Sequence, residues 1–453
     1  MPAVRFAVVT PAFVVVALAL AGCTPYVAAP VHLEAYPIAL DARRLDEKPA
    51  GATWTGGDLL AAALARNPSV AEAAAKYRTA VAAAKTSRVA PSMTLTLTGE
   101  YARREPKQWL FGVGSDVPLD IGARRGERLN AADLAAMQAL YDYGEAVWTV
   151  RTALTRARAD RLSADAEAAL AQRLEAVRQA RVDRLDRRVA AGEDDRSLAL
   201  AARSDLAVAH RRLADARARR VQADAALAQA LGVPAVAIAD LSLAPVAPPP
   251  EGLDLIQARR DAALTRRDVL RAVVGYDLAE SALRLEVAKQ YPEIHVGPGY
   301  TYDHGVAKLP FNLGLLLPPM DLNRAAIAQG EAKRAEAGRS LEAVQAAALG
   351  ALDQAWATLG AARITEASTR ERDLPAARRL AEATARGAKA GEADRVDDLG
   401  AQATLIEAEL AVLDAHRAAI IAGVDLEDAL RVPFDPAETA LLQNASRTLG
   451  GQQ

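Results

Sequence analysis

One cysteine in 453 residues excludes any internal disulfide, so no covalent bridge holds this chain together. Aromatic residues are only 4 % of the total, too few for a thick globular core. Alanine dominates instead, and that composition suits closely packed long helices. Charges of the two signs nearly cancel, at a formal −2, which excludes a polyanion-binding surface and with it a nucleic-acid partner. The five histidines, His32, His210, His295, His304 and His416, are scattered without metal-ligand spacing. No Gly-x-x-x-x-Gly-Lys-Ser/Thr loop and no nucleophile–base arrangement is present. These absences point away from an enzyme, and no metal centre or soluble cofactor is expected. Long apolar runs are also scarce. The run from Phe6 to Leu20 is too short for a membrane-spanning helix.

What the chain does contain is strict apolar–polar alternation in four short stretches, grouped as two hairpins. Met93, Leu95, Leu97 and Tyr101 alternate with Thr94, Thr96, Thr98 and Glu100. Trp109, Phe111, Val113 and Val117 alternate with Gly112, Gly114 and Asp116. In the second hairpin Ile294, Val296, Tyr300 and Tyr302 alternate with His295, Gly297, Thr301 and Asp303. Leu309, Phe311, Leu313, Leu315 and Leu317 then alternate with Asn312 and Gly314. Each run is roughly 9–11 residues, the length of a tilted strand crossing hydrocarbon. One greasy and one wet face mark a water-filled barrel in lipid. Seven of the 19 aromatics (Tyr101, Trp109, Phe111, Tyr291, Tyr300, Tyr302 and Phe311) lie in or beside these hairpins, as interfacial girdles require. Four strands cannot close a barrel, because about eight is the working minimum and open edges in lipid leave backbone groups unpaired. The chain is therefore expected to pool its strands with copies of itself.

Around the hairpins the sequence divides readily. Residues 1–22 read as a signal peptide, with Arg5 ahead of the apolar run and small residues at its exit. The tetrad Leu20-Ala21-Gly22-Cys23 resembles a bacterial lipobox, which implies acylation of Cys23. Thr24 rather than Asp follows it, which in enteric-type sorting favours the outer membrane. Residues 23–54, rich in proline and alanine, read as an extended tether. Residues 55–243 form a first repeat: a helix over 56–89, the hairpin 92–117, continuous helix over 122–190 about 100 Å long, and a return helix over 195–231. A proline-rich linker, 244–254, precedes a second repeat over 255–434. That repeat has a helix over 255–290, the hairpin 293–317, a helical tract over 322–390 and a return helix ending near Arg431. Residues 435–453 remain as a C-terminal tail. Pro375 has no counterpart in the first half and predicts a kink or break.

The two repeats correspond at fixed landmarks. Arg187-Arg188-Val189-Ala190-Ala191-Gly192-Glu193 matches Arg386-Gly387-Ala388-Lys389-Ala390-Gly391-Glu392 at an offset of 199. Leu231-Gly232-Val233-Pro234 matches Leu430-Arg431-Val432-Pro433 at the same offset, and Pro118-Leu119-Asp120 matches Pro319-Met320-Asp321 at 201. Constant spacing across separate landmarks predicts an internal duplication. Within the helices, Leu198, Ala202, Leu206, Ala209 and Leu213 form a packing stripe, and the opposite face, thick with arginine and aspartate, reads as solvated.

Lipobox, tether, helix, hairpin, long helix and glycine-tipped return, repeated once, resemble the TolC-like outer membrane factors over nearly the whole chain. The resemblance implies a mainly α protein with a membrane β-barrel. Three chains of four strands would give a 12-stranded barrel, and antiparallel helices would continue it as a trimeric α-barrel tunnel across the periplasm. It also implies an exit duct that docks through a periplasmic adaptor onto an inner-membrane pump. The strand-to-helix junctions Val117–Arg125 and Leu317–Arg324 look most like the cation-efflux branch that works with resistance-nodulation-division pumps, with drug or organic-solute efflux as the competitor. A duct for ABC export or type I secretion is the alternative within the family. Outside it stand a pore-less periplasmic scaffold lipoprotein and an envelope hydrolase.

Carried over residue by residue, the family's closure near the second hairpin tip falls on Val396 and Asp397, just after Gly391. Three copies of Asp397 about one axis would attract cations and filter electrostatically. Asp397 also suits a solvated first-turn carboxylate, as do Asp394 and Asp398 beside it. Gly400 stands where many relatives carry a further aspartate, which puts a second ring in doubt. The tips at Gly192 and Gly391 become the adaptor-contact surface, although a C-capping glycine is needed in either reading. His295 and His304 share the second hairpin, either within reach of a passing cation or as ordinary lumen and loop residues.

Overall fold

The computed structural model describes residues 26–49, 51–119, 122–250 and 252–450. Two units divide between Arg43 and Arg44. In the first, the segment expected to be extended contains a helix, α1 (Ala35–Ala42). Pro37 falls in its first turn, where a missing N–H costs no helical bond. The lipidation site Cys23 and the signal peptide lie outside the described residues.

The second unit begins with a two-residue strand β1 (Thr53–Trp54), then α2 (Gly56–Arg66) and α3 (Pro68–Ser87). One helix was expected over this stretch. Asn67 divides it, capping α3 by accepting from Ser69 N and Val70 N, with Pro68 at the first helical position. Strands β2 (Thr94–Tyr101) and β3 (Trp109–Pro118) lead to α4 (Ala123–Ala190), a single helix of 68 residues. The return helix α5 (Arg196–Leu231) ends on Gly232, whose positive φ and closeness to the Arg66 carbonyl leave no room for a Cβ. The short strand β4 (Ser242–Leu243) pairs in parallel with β1.

The second half follows the same plan. Helices α6 (Leu255–Leu264) and α7 (Arg267–Ala288) are split at Arg266. Asn67 Nδ2 donates to Ala230 O (2.8 Å), and Arg266 Nη1 donates to Ala429 O (2.6 Å), so each break ties the leading helix to the end of its return helix. Strand β5 (Glu293–Asp303) is followed by β6 (Val306–Lys308) and β7 (Phe311–Leu316), then α8 (Arg324–Ser368). At Thr369–Asp373 the helix opens into a π turn before α9 (Leu374–Ala390). Pro375 has no N–H to donate and its ring crowds the preceding turn, so the ladder loosens there instead of breaking. Helix α10 (Arg395–Leu430) returns.

The expected tail is folded as helix α11 (Pro436–Gly450), started by Asp435 accepting from Ala437 N (2.9 Å) with proline at the first position. Its Leu442 and Leu449 enter the main core with Trp54, Leu59, Tyr77, Trp148 and Leu231. Glu438, fully buried, is held by Arg151 Nε at 2.6 Å, while Arg151 Nη1 holds Glu427 at 2.6 Å. Burial pushes the Glu438 carboxyl up despite the guanidiniums of Arg151 and Arg158. Further along, α4 and α5 meet α10 through arginine–carboxylate pairs: Arg173–Glu409 (2.9 Å), Arg178–Glu407 (2.7 Å), Arg212–Asp414 (3.0 Å) and Arg417–Asp160 (2.6 Å). The face expected to be merely solvated thus fixes helix register, although each exposed pair contributes only about 0–1 kcal/mol.

Candidate functional site

All four alternating stretches come together in one antiparallel sheet. Strand β3 pairs with β2 on one side and β5 on the other, and both β6 and β7 pair with the far edge of β5. The β5 register is common to β6 and β7 (Thr301↔Lys308 and Pro298↔Phe311), so these two form one strand interrupted at Pro310. Proline donates nothing, but its carbonyl accepts from Gly299 N (2.9 Å) and keeps the register. Among the described residues the sheet is open at β2 and at β7.

Its two faces differ sharply. Leu95, Leu97, Phe111, Leu313 and Leu315 cover one side and are exposed, Leu97 to 75 %. A patch of this kind exceeds what water tolerates on a monomer surface. At its loop end Tyr101 meets Trp109 edge-on (4.9 Å) and Trp109 stacks on Phe111 (5.6 Å), an aromatic rim. The other face curves inward around a groove of about 400 Å³ lined by Thr96, Thr98, Gly112, Gly114, Asp116, Gly297, Thr301 and Asn312. Small polar residues and glycines leave that side open to water.

The helical hairpin tips form the second region. Gly192 (φ +76°) and Gly391 (φ +77°) both adopt the left-handed conformation. Glu193 N donates to Arg188 O (2.9 Å) and Glu392 N to Gly387 O (2.8 Å), so both tips close with the same bond. Asp195 and Asp394 cap the two return helices, accepting from Ser197 N and Val396 N at 3.0 Å each. Arg188 joins the tips: it donates to Asp194 Oδ1 (3.0 Å) and also pairs with Asp394.

The predicted gate pair separates. Val396 is buried among Val182, Leu185, Ala199 and Ala202, whereas Asp397 is exposed on the first turn of α10. Beside them Asp398 is fully buried, accepting from Gln402 Nε2 (3.0 Å) and pairing with Arg395, with Oδ1 left without a partner. Arg188 was missed in the sequence, and Asp398, expected as a solvated first-turn carboxylate, is buried instead. The signal for Asp398 is its helical stripe with Ala401 and Leu405. Nothing local marked Arg188, whose partner Asp394 lies about 200 positions away.

His295 and His304 do not share a site. His304 sits on the β5–β6 turn against Lys107 O (2.6 Å), while His295 lies on the concave face beside Asp116. No group of three or more His, Cys, Asp or Glu among the described residues converges to hold a metal ion. No helix among them is long and apolar enough to cross a membrane.

A family model described as "Outer membrane efflux protein" matches residues 59–233 and 258–430. No curated protein matches the sequence. Among solved structures, a membrane protein from Pseudomonas aeruginosa is 20 % identical with a TM-score of 0.69, covering 86 % of this chain and 97 % of that one. VceC of Vibrio cholerae, an outer membrane protein, is 18 % identical with a TM-score of 0.69, covering 84 % and 97 %. The Campylobacter jejuni CmeC outer membrane channel is 13 % identical with a TM-score of 0.70, covering 93 % and 98 %. At these identities the likeness is one of fold.

Proposed function

This chain belongs to the outer membrane efflux protein family, and from that premise we propose that it is the exit duct of a tripartite export system. Three copies pool their sheets into a 12-stranded barrel in the outer membrane, and their helices continue it as a periplasmic tunnel. The observation that carries this reading is a four-stranded sheet, open at both edges among the described residues, greasy outside and glycine- and threonine-lined inside. Such a sheet in lipid satisfies its edge N–H and C=O groups only by pairing with another copy. The unit arose by duplication. The paired breaks at Asn67 and Arg266 and the paired tips at Gly192 and Gly391 support this, each pair 199 positions apart.

Acylation at Cys23 anchors the chain to the membrane. The tips at Gly192 and Gly391 meet a periplasmic adaptor, which connects the duct to an inner-membrane pump of the resistance-nodulation-division type. Its cargo is small solutes or metal cations. Transport here is passive and needs no chemistry from the chain. The gate narrows to Asp397, because Val396 is taken up in packing within its own protomer.

Light scattering of the full-length protein in mild detergent, followed by planar-bilayer recording, tests the reading. A trimer with discrete channels is expected, and a monomer without conductance overturns it. Asp397→Ala should raise conductance or weaken cation preference. Unchanged values remove Asp397 from the gate.

A further inference from the structure

We infer that His295, set between Asp116 and Glu293 on the lumenal floor of the sheet, is a charge step that sets the duct's cation preference according to pH. This rests on the trimeric-duct reading above. His295 Nδ1 lies 3.0 and 3.2 Å from the two Asp116 oxygens. Its Nε2 makes no hydrogen bond and lies 3.7 Å from Glu293 Oε1. Glu293 is already matched, since its other oxygen takes Arg124 Nη1 at 2.8 Å. Arg124 in turn donates to the carbonyls of Ala288 (3.3 Å) and Tyr291 (2.5 Å), which holds it in place against Glu293. Asp116 has no arginine or lysine partner among the described residues, so its charge is answered by His295 alone.

The surroundings leave this pair in control of the floor. Across the strand pair, His295 faces Gly314, where a Cβ would lie 3.3 Å from that of His295, so the neighbouring strand sets no side chain directly opposite; the His295 side chain is 23 % exposed and its Nε2 is buried. Towards the loops the same face presents Thr96, Thr98, Gly112, Gly114, Gly297 and Thr301, none of them charged. Charge returns on that face only near the mouth, at Glu100 and at Asp303, which is paired with Lys308. Histidine is the side chain whose charge changes between about pH 5 and pH 8. With His295 neutral the floor carries one net negative charge per chain, because Glu293 and Arg124 cancel. With His295 protonated it carries none. Three copies around one axis turn a cation-attracting floor into a neutral one.

Full-length wild-type protein in planar bilayers under a KCl gradient gives the K⁺/Cl⁻ permeability ratio from its reversal potential. Acidification from about pH 8 to about pH 5.5 should lower the ratio about twofold at ~0.1 M salt, where charges facing a water-filled lumen are screened over about 10 Å. His295→Gln should hold the ratio at its pH 8 value throughout. His295→Lys, with a fixed positive charge, should give the acid-side ratio already at pH 8. Asp116→Asn should lower the ratio at every pH and keep the step, and His304→Gln should leave the wild-type profile unchanged. A wild-type ratio that does not move with pH, or a step that survives in His295→Gln, overturns the inference while leaving the duct intact. Absence of any wild-type channel overturns the duct reading and this inference with it.

Discussion

At the scale of single residues, two positions show how burial and charge set stability here. Asp268 starts α7, and burial alone would raise its pKa. The Arg266 guanidinium, bonded to its two oxygens at 3.0 and 2.7 Å, outweighs that and holds it below the ordinary carboxylate value. An acid with a lowered pKa in the folded chain releases its proton more readily folded than unfolded. Its contribution is therefore complete above about pH 4 and fades as pH falls through the lowered value. Asp268→Asn should cost about 1–3 kcal/mol at neutral pH, and its gap from wild type in denaturant titrations should close on acidification. Arg431 is the second case. It takes the left-handed backbone (φ +56°) that Gly232 takes in the first half, yet it pairs with Glu145 (3.2 Å) and lies over the Trp148 ring (5.7 Å). Burial pushes the Glu145 carboxyl up, against the pull of Arg431. Arg431→Ala keeps the backbone strain and strands Glu145, so a loss of about 1–3 kcal/mol is expected in thermal unfolding. Arg431→Gly, which relieves the strain, should lose less.

At the scale of elements, the strands were the most legible part of the sequence, and the structure places all four alternating stretches in one sheet with their greasy sides together. Period-two alternation leaves no other register that buries one face consistently. Leu97→Arg, which puts a charge at mid-strand on the greasy face, should cost about 2–4 kcal/mol and block insertion into vesicles. The adjacent Thr96→Arg faces the groove and should insert normally while changing conductance. The helices were legible in type but not in their breaks. Asn67-Pro68 carried a cap signal that alanine-rich periodicity masked, and the division at Arg266 depends on a contact with the Ala429 carbonyl that no local pattern announces. Asp435-Pro436 likewise signals the helix start that the tail reading passed over.

At the scale of the whole molecule, the proposed duct makes sealing the sheet a property of several copies and not of one. The Cys23→Ser variant tests how anchoring and assembly are related. It should lose palmitate labelling yet still form channels after reconstitution, because sheet pairing and not the lipid closes the barrel. Loss of both would tie assembly to the acyl chain. The sequence by itself determined the alternation of the strands, the length of the long helix α4 and of the two return helices, and the spacing of the landmarks, because each follows from backbone period or from glycine and proline acting locally. Tertiary structure decided which charges meet. Arg188 reaches Asp394, Arg151 gathers Glu427 and Glu438, and His295 finds Asp116, all across separations that helix and strand periods do not encode. It also assigned Val396 to packing and Asp397 to water, since which side of a helix faces its neighbours depends on where those neighbours lie.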